Sequence, residues 1–199
     1  MRVAWWTPLI VLLVTACGME TKRVDPDQDD VVGGTGIDAA DLRATADKMA
    51  RSILAIDRIY AHGTPYIVVH SPENRTRFQF DGSMFVQNII TNLSQNAAGR
   101  VQFIDRENFE LIQKERQLKR SGAVSVPTDA NGQPNLAAAP LGTDYLLTGT
   151  LQAISKSDGK AVSDYTQATF RLTDAETGAI VWQDQYNWKK VGESGVIYR

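Results

Sequence analysis

The residues Tyr145-Leu146-Leu147-Thr148-Gly149-Thr150-Leu151 form an uncharged run of apolar and β-branched side chains. Such a run predicts a strand in the centre of a β-sheet. Two further strands follow it: Gln167–Thr173, in which apolar and polar residues alternate, and a strand from Ile180 to about Trp188. Three strands in succession, separated by turn residues, predict hairpins in the C-terminal part of the chain.

The alternation in the second of these strands predicts which side chains face the core. They are Ala168, Phe170 and Leu172, because side chains at every second position of a strand share one face. We also expect Trp182 to belong to the core, beside Phe170 and Leu147, and not to form a platform for a sugar.

Three segments upstream show the spacing of apolar side chains at every third or fourth residue that is typical of amphipathic helices. A side chain that can accept hydrogen bonds from the first helical turn precedes each segment. The predicted helices begin after caps at Asp38, at Asp81 or Ser83, and at Asp105, and they end near Tyr60, Gly99 and Leu118.

Two short apolar strands, Tyr66–Val69 and Val101–Ile104, alternate with these helices. Helices alternating with strands, followed by strands joined by hairpins, favour an α/β (α+β) fold. We therefore predict a single domain over residues 37–199, built on a mixed sheet of about 4–5 strands with helices packed on its faces.

The first residues of the chain have the composition of a secretory signal peptide, with Arg2 before the apolar run Val3–Leu13. This run is shorter than the roughly 20 residues that a membrane-spanning helix needs. The sequence Val14-Thr15-Ala16-Cys17 resembles the lipobox of bacterial lipoproteins. The resemblance implies a signal peptide over residues 1–16 and lipidation of Cys17. The alternatives are an uncleaved signal anchor, or a signal cleaved elsewhere with Cys17 as a core thiol.

Two observations place the domain relative to the membrane. Gly18 stands where enteric lipoproteins retained at the inner membrane carry an aspartate, so the resemblance implies a lipid anchor in the outer membrane, facing the periplasm. Residues 17–36 are polar and end in Gly33-Gly34-Thr35-Gly36. Such a sequence buries too little apolar area to order itself, and we expect a flexible tether.

The composition gives no signal for nucleic acid, a metal or a catalytic group. The net charge is -2, whereas nucleic-acid-binding domains are usually basic. The chain has two histidines, His62 and His70, outside any metal-ligand spacing, and one cysteine. We expect no metal, no cofactor and no catalytic residue, although His70 follows a strand, a position at which active-site residues are common.

Three segments carry a resemblance to the penicillin-binding-protein activator LpoB family: Ile67–Thr76, Thr143–Leu147 and Thr177–Trp182. The resemblance implies a fold like that of the TolB N-terminal domain and of the curli-secretion lipoproteins. It also implies a non-catalytic outer-membrane lipoprotein that binds and activates a bifunctional class A penicillin-binding protein and so regulates peptidoglycan synthesis. The alternative is a structural or accessory lipoprotein of an envelope export complex, similar to the curli-secretion proteins.

The first of these segments leads into the predicted partner-binding surface. It combines arginine and aromatic residues, which dominate binding energies at interfaces, in a loop between a strand and a helix. The predicted partner-binding residues are Asn74, Arg75, Thr76, Arg77, Phe78 and Phe80. The alternative is that Asn74 and Thr76 only close a turn, while Arg75 pairs with a nearby carboxylate.

Overall fold

A computed structural model describes Arg23, Asp25, residues 34–137 and residues 139–193 of the chain. The signal peptide predicted over residues 1–16 and the lipidated Cys17 lie outside the described residues, as does most of the tether predicted over residues 17–36. Within the described part of the chain, no helix is long and apolar enough to cross a membrane.

The domain has three α-helices, one short 3₁₀ helix and six strands among its described residues. They are α1 (Ala39–Leu54), the 3₁₀ helix (Asp57–Tyr60), β1 (Tyr66–Val69), β2 (Glu73–Arg75), α2 (Gly82–Ala97), β3 (Gln102–Phe103), α3 (Phe109–Ser121), β4 (Tyr145–Ser157), β5 (Ala161–Asp174) and β6 (Ile180–Glu193). The strands form one sheet in the order β3-β1-β4-β5-β6, and β2 pairs with β4 beyond the end of β1.

The sheet is mixed, as the sequence predicts. Strands β1 and β3 are parallel to each other, and β1 and β2 are both parallel to β4. Strands β4, β5 and β6 form an antiparallel meander. The sheet has one strand more than the sequence predicts, because β2 lies in a segment assigned to a loop.

The helix caps follow the prediction for α1 and α2 but not for α3. Asp38 and Asp41 form a capping box at the start of α1, and Asp81, not Ser83, caps α2. Helix α3 begins only at Phe109. The predicted cap Asp105 instead accepts hydrogen bonds from the backbone N–H and the side-chain amide of Asn108, at 3.0 and 2.7 Å. Its carboxylate therefore closes the turn that precedes the helix.

The first helix also ends earlier than its apolar spacing predicts. Helix α1 stops at Leu54, and Tyr60, the predicted end, lies in the separate 3₁₀ helix. Ile59 from that 3₁₀ helix is buried in the same core. The chain thus turns between the two helices, and apolar side chains from both of them still face the same core.

The core lies between the sheet and the helices α1 and α2. Ala168, Phe170 and Leu172 are buried, as predicted. Phe170 stacks on Phe85 of α2, with 5.2 Å between the ring centroids. Trp182 is half-buried and packs against this core, and its indole N–H donates to the Ser52 hydroxyl of α1 at 3.0 Å.

A buried carboxylate joins the N-terminal segment to the sheet. The Asp164 side chain of β5 is fully buried and accepts hydrogen bonds from the hydroxyls of Ser155 on β4 and Thr35. Arg77 donates to the same carboxylate at 2.6 Å. Thr35, which falls within the predicted tether, is itself buried. The domain therefore includes at least part of the segment that precedes α1.

A second contact fixes the same segment to β6. The Lys190 ammonium donates to the Gly36 carbonyl at 3.1 Å and to the Asp38 and Asp41 carboxylates at 2.6 Å each. Burial lowers the pKa of Lys190, but the hydrogen bonds to the two aspartates outweigh it, so the pKa is raised. The ammonium thus stays charged at neutral pH beside the capping box of α1.

The centre of β4 provides a test of core packing. A Cβ atom added at Gly149 would lie 2.3 Å from the Phe170 ring, closer than any real contact, whereas one added at Gly142 meets nothing within 4 Å. We expect Gly149→Ala to destabilise the domain by about 1–3 kcal/mol through overpacking. Chemical unfolding of this variant, with Gly142→Ala as the control, measures the difference. Equal stabilities for the two variants would contradict the packing described here.

The buried carboxylate provides a second test. Burial raises the pKa of Asp164, but the hydrogen bonds from Ser155, Thr35 and Arg77 outweigh it, so the pKa lies below the ordinary value of 3.8. The ionised form therefore stabilises the fold above that ordinary pKa, and the contribution is lost as pH falls through the lower folded-state pKa.

We expect Asp164→Asn to cost about 1.5–3 kcal/mol of stability at pH 7, the range for hydrogen bonds to a charged group. Its stability should also fall less steeply than that of the wild type when the solution is acidified below pH ~4. Unfolding curves across this pH range measure both effects, with the exposed-turn variant Glu176→Gln as the control. An unchanged acid dependence in Asp164→Asn would show that the carboxylate is not ionised in this network.

Candidate functional site

The candidate partner-binding segment, residues 73–80, projects beside the centre of the sheet. It begins with β2, whose residues Glu73–Arg75 pair in parallel with Thr150–Gln152 of β4. All three residues of β2 are exposed. The segment ends before Asp81, which caps α2. A strand and a capped helix thus hold both of its ends in place.

The side chains of Asn74 and Thr76 close a turn within this segment. The Asn74 amide oxygen accepts from the Thr76 backbone N–H at 2.9 Å and from the Thr76 hydroxyl at 2.7 Å. The Asn74 amide nitrogen donates to the Phe78 carbonyl at 2.7 Å. This arrangement agrees with the structural alternative for these two residues, which shape the loop.

Two aromatic residues of the segment point toward the interior. Phe78 is buried, and Phe80 is half-buried and packs against the core. The Arg77 guanidinium lies over the Phe78 ring, 4.9 Å from its centroid. The Phe78 side chain is therefore not available at the surface. The sequence does not predict this, because two aromatic residues in a polar segment are too few to set a hydrophobic period.

The two arginines of the segment have different surroundings. Arg77 is partly exposed and donates to the buried Asp164 carboxylate. Arg75 is exposed and pairs with exposed Glu73 at 2.7 Å, as the structural alternative predicted. The hydrogen bond from Arg75 is the main reason that the pKa of the Glu73 carboxyl is lowered. A pair exposed to water contributes little to stability, so its arginine can exchange Glu73 for a carboxylate of a partner at small cost.

A cleft of about 620 Å³ opens at the carboxyl ends of β1 and β3. Its lining includes the apolar side chains of Val68, Val86 and Phe103 and the polar side chains of His70 and Glu107. No group of histidine, cysteine, aspartate or glutamate side chains suited to a metal ion occurs in the described part of the chain.

The residues that link the segment to the rest of the domain were not predicted from the sequence. Asp164 and Thr35 are distant from Arg77 along the chain, and their hydrogen bonds depend on the register of β4 with β5. The one available signal was the position of Asp164, a charged residue on the same strand face as Ala168 and Phe170. A carboxylate at a core-facing position is stable only when it is paired with a cation or accepts hydrogen bonds.

Comparison with solved structures gives matches that differ widely in sequence from this chain. The LpoB C-terminal domain from Escherichia coli is 17% identical, with a TM-score of 0.45, over 74% of this chain and 98% of that one. The NMR structure of E. coli LpoB is 14% identical, with a TM-score of 0.43, over 98% and 85%. Lipoprotein GNA1162 from Neisseria meningitidis is 15% identical, with a TM-score of 0.36, over 64% and 83%.

Comparison with the sequences of curated proteins gives no match. The family model of the peptidoglycan-synthase activator LpoB, in contrast, matches residues 41–188. The matched range begins within α1 and ends within β6, so it includes strands β1 to β5, most of β6 and the whole candidate segment. This chain therefore belongs to the LpoB family of peptidoglycan-synthase activators.

Proposed function

We propose that this chain is a non-catalytic lipoprotein of the outer membrane that binds and activates a bifunctional class A penicillin-binding protein. The observation that carries the proposal is the match of the peptidoglycan-synthase activator family over most of the folded domain. An activator acts by binding its enzyme, and the binding energy must favour a more active state of that enzyme. The proposal therefore requires an exposed contact surface on this domain and no catalytic group.

We place part of that surface on the predicted segment, and we assign different roles to its six residues. Arg75 supplies the direct contact, because its guanidinium is exposed and, among the described residues, pairs with the exposed Glu73. Asn74 and Thr76 hold the loop in shape through their mutual hydrogen bonds. Arg77 adds the exposed part of its side chain to the contact surface. Phe78 and Phe80 support the loop from beneath by packing.

The lipid anchor is the second part of the proposal. We propose that Cys17 is acylated and that residues 17–36 connect it to the domain. Each buried CH₂ group of an acyl chain stabilises membrane attachment by about 0.8 kcal/mol, and stable anchoring needs more than one chain. Acylation at Cys17 would thus keep the domain at the outer membrane while the residues that follow it reach into the periplasm.

Binding of the synthase is tested with the Arg75→Ala variant. We expect its affinity for a purified class A penicillin-binding protein to fall about tenfold or more, the effect typical of an arginine hot spot. The matched control is Arg51→Ala, because Arg51 is also exposed and paired with one carboxylate, Asp47 on α1. Surface-based or calorimetric titration measures both affinities.

Two results would count against this assignment. Equal affinities of wild type and Arg75→Ala, with the fold intact, would move the interface away from the segment. Failure of the wild type to bind any class A penicillin-binding protein of its own organism would overturn the proposed function. Co-purification of the native protein with an export complex would then favour the accessory-lipoprotein alternative.

Anchoring is tested by fractionation of cells that produce Cys17→Ser. We expect this variant to leave the outer membrane, either as a soluble periplasmic protein or as an uncleaved precursor, because serine cannot carry the thioether-linked lipid. The Gly18→Ser variant, which keeps the cysteine, should remain with the membranes. Cys17→Ser that still fractionates with outer membranes after removal of its signal peptide would refute the anchor.

A further inference from the structure

Helices α1 and α2 cover one face of the antiparallel meander, whereas the opposite face carries exposed side chains in the part of the chain that the structure describes. Leu147 and Leu151 of β4 and Ala168 of β5 face α1 and α2 in the core. Side chains at the intervening positions point the opposite way. The interstrand register places these outward side chains in rows of three across β4, β5 and β6. The rows are Thr148–Arg171–Gln183, Thr150–Thr169–Gln185, Gln152–Gln167–Asn187, Ile154–Tyr165–Lys189 and Lys156–Ser163–Val191.

We name this surface the outer face. It is dominated by neutral amide and hydroxyl side chains, which form hydrogen bonds without a charge. The Gln167 amide donates to the Thr169 hydroxyl at 3.0 Å, as expected for neighbours on one face of a strand. On the sheet edge formed by β6, the outward residues from Gln183 to Val191 are exposed. The outer face therefore offers a broad set of hydrogen-bond donors and acceptors.

The candidate segment continues the outer face by one strand. Strand β2 pairs with β4 so that Glu73 lies beside Thr150 and Arg75 lies beside Gln152. Residues that are aligned on neighbouring strands share a face. The row that contains Gln152, Gln167 and Asn187 thus begins with Arg75 and spans four strands. The proposed contact residue lies at the border of a larger surface.

The outer face is basic on a protein whose net charge is -2. Its charged residues are the cations Arg75, Lys156, Arg171 and Lys189, with the anions Glu73 and Glu193 at the margins. Glu73 is already paired with Arg75, whereas Arg171 and Lys189 are exposed. No carboxylate lies at the positions of β4, β5 and β6 that make up these five rows. A surface of this kind attracts acidic partners.

We propose that the outer face is the main docking surface for the synthase and that the synthase presents an acidic surface to it. Arg171 and Lys189 pair with carboxylates of the partner, and the glutamine, asparagine and threonine side chains hydrogen-bond its polar groups. Arginine suits this role because its planar guanidinium can bind a carboxylate through two parallel hydrogen bonds. This inference rests on the proposed function and extends its contact from one loop to a four-strand surface.

Charge reversal on the outer face tests the inference with the full mature chain. We expect Arg171→Glu to weaken binding of a purified class A penicillin-binding protein at least tenfold at low salt, and Lys189→Glu to act in the same direction. Arg171→Gln, which removes the charge without reversing it, should give a smaller loss. The wild-type affinity should fall as salt is added, and that dependence should be weaker in Arg171→Glu. The control is Arg51→Glu on α1, which should bind within about twofold of wild type.

The outcomes separate this inference from the proposed function. If Arg75→Ala weakens binding while Arg171→Glu and Lys189→Glu bind like wild type, the outer face is not the docking surface and the proposed function stands. If the wild type binds no class A penicillin-binding protein, the proposed function fails and this inference fails with it. If purified peptidoglycan sacculi, and not the synthase, bind in a manner that depends on Arg171, the ligand is a cell-wall polymer and the inference is overturned. Matching unfolding curves for all variants exclude loss of fold as the cause.

Discussion

Strand β4 is hydrogen-bonded along both of its edges, and this double pairing sets the positions of the other elements. One edge pairs with β1 and then with β2, while the other pairs with β5 along the full length of the strand. The first pairing fixes the parallel half of the sheet, and the second fixes the antiparallel half. Because β1 and β2 follow each other on the same edge, the candidate segment is held against the centre of the sheet.

The packing of the core depends on the same strand. Gly149 lies in the first half of β4, and its missing side chain leaves room for the Phe170 ring, which in turn stacks on Phe85 of α2. Leu147 and Leu151 on either side of this glycine are fully buried. The packing of helix α2 against the sheet therefore depends on Gly149, because a larger residue would displace the Phe170 ring. Close packing of this kind leaves little freedom to move one element without the others.

The sequence predicts best those elements in which apolar residues recur at regular positions. Strand β1 spans the predicted residues Tyr66–Val69, and the inward side of β5 is as predicted, because burial imposes a visible pattern on both. Strand β2 was missed because Glu73–Arg75 is wholly exposed and polar. The end of β4 (residues 152–157), the start of β5 (161–166) and the end of β6 (189–193) were also missed. Polar side chains interrupt the apolar pattern there, and backbone pairing does not require such a pattern.

The candidate site was only partly predictable. The sequence placed the segment between a strand and a helix, but it missed the short strand β2 and did not separate the residues that shape the turn from those at the surface. That separation depends on tertiary contacts: Phe80 packs against the core, and Arg77 donates to a carboxylate on β5. A pattern within one segment carries no information about a partner that lies elsewhere in the chain.

The contacts of the N-terminal segment have a consequence for the order of folding. Thr35 is separated from Asp164 by 129 positions, and Asp38 is separated from Lys190 by 152. Such contacts form slowly, because a long loop must close before they contribute any stability. The residues that precede α1 are synthesised first, yet they cannot settle until the last strand is present. The domain therefore completes its fold only after its whole chain has emerged, and its first residues are among the last to be fixed.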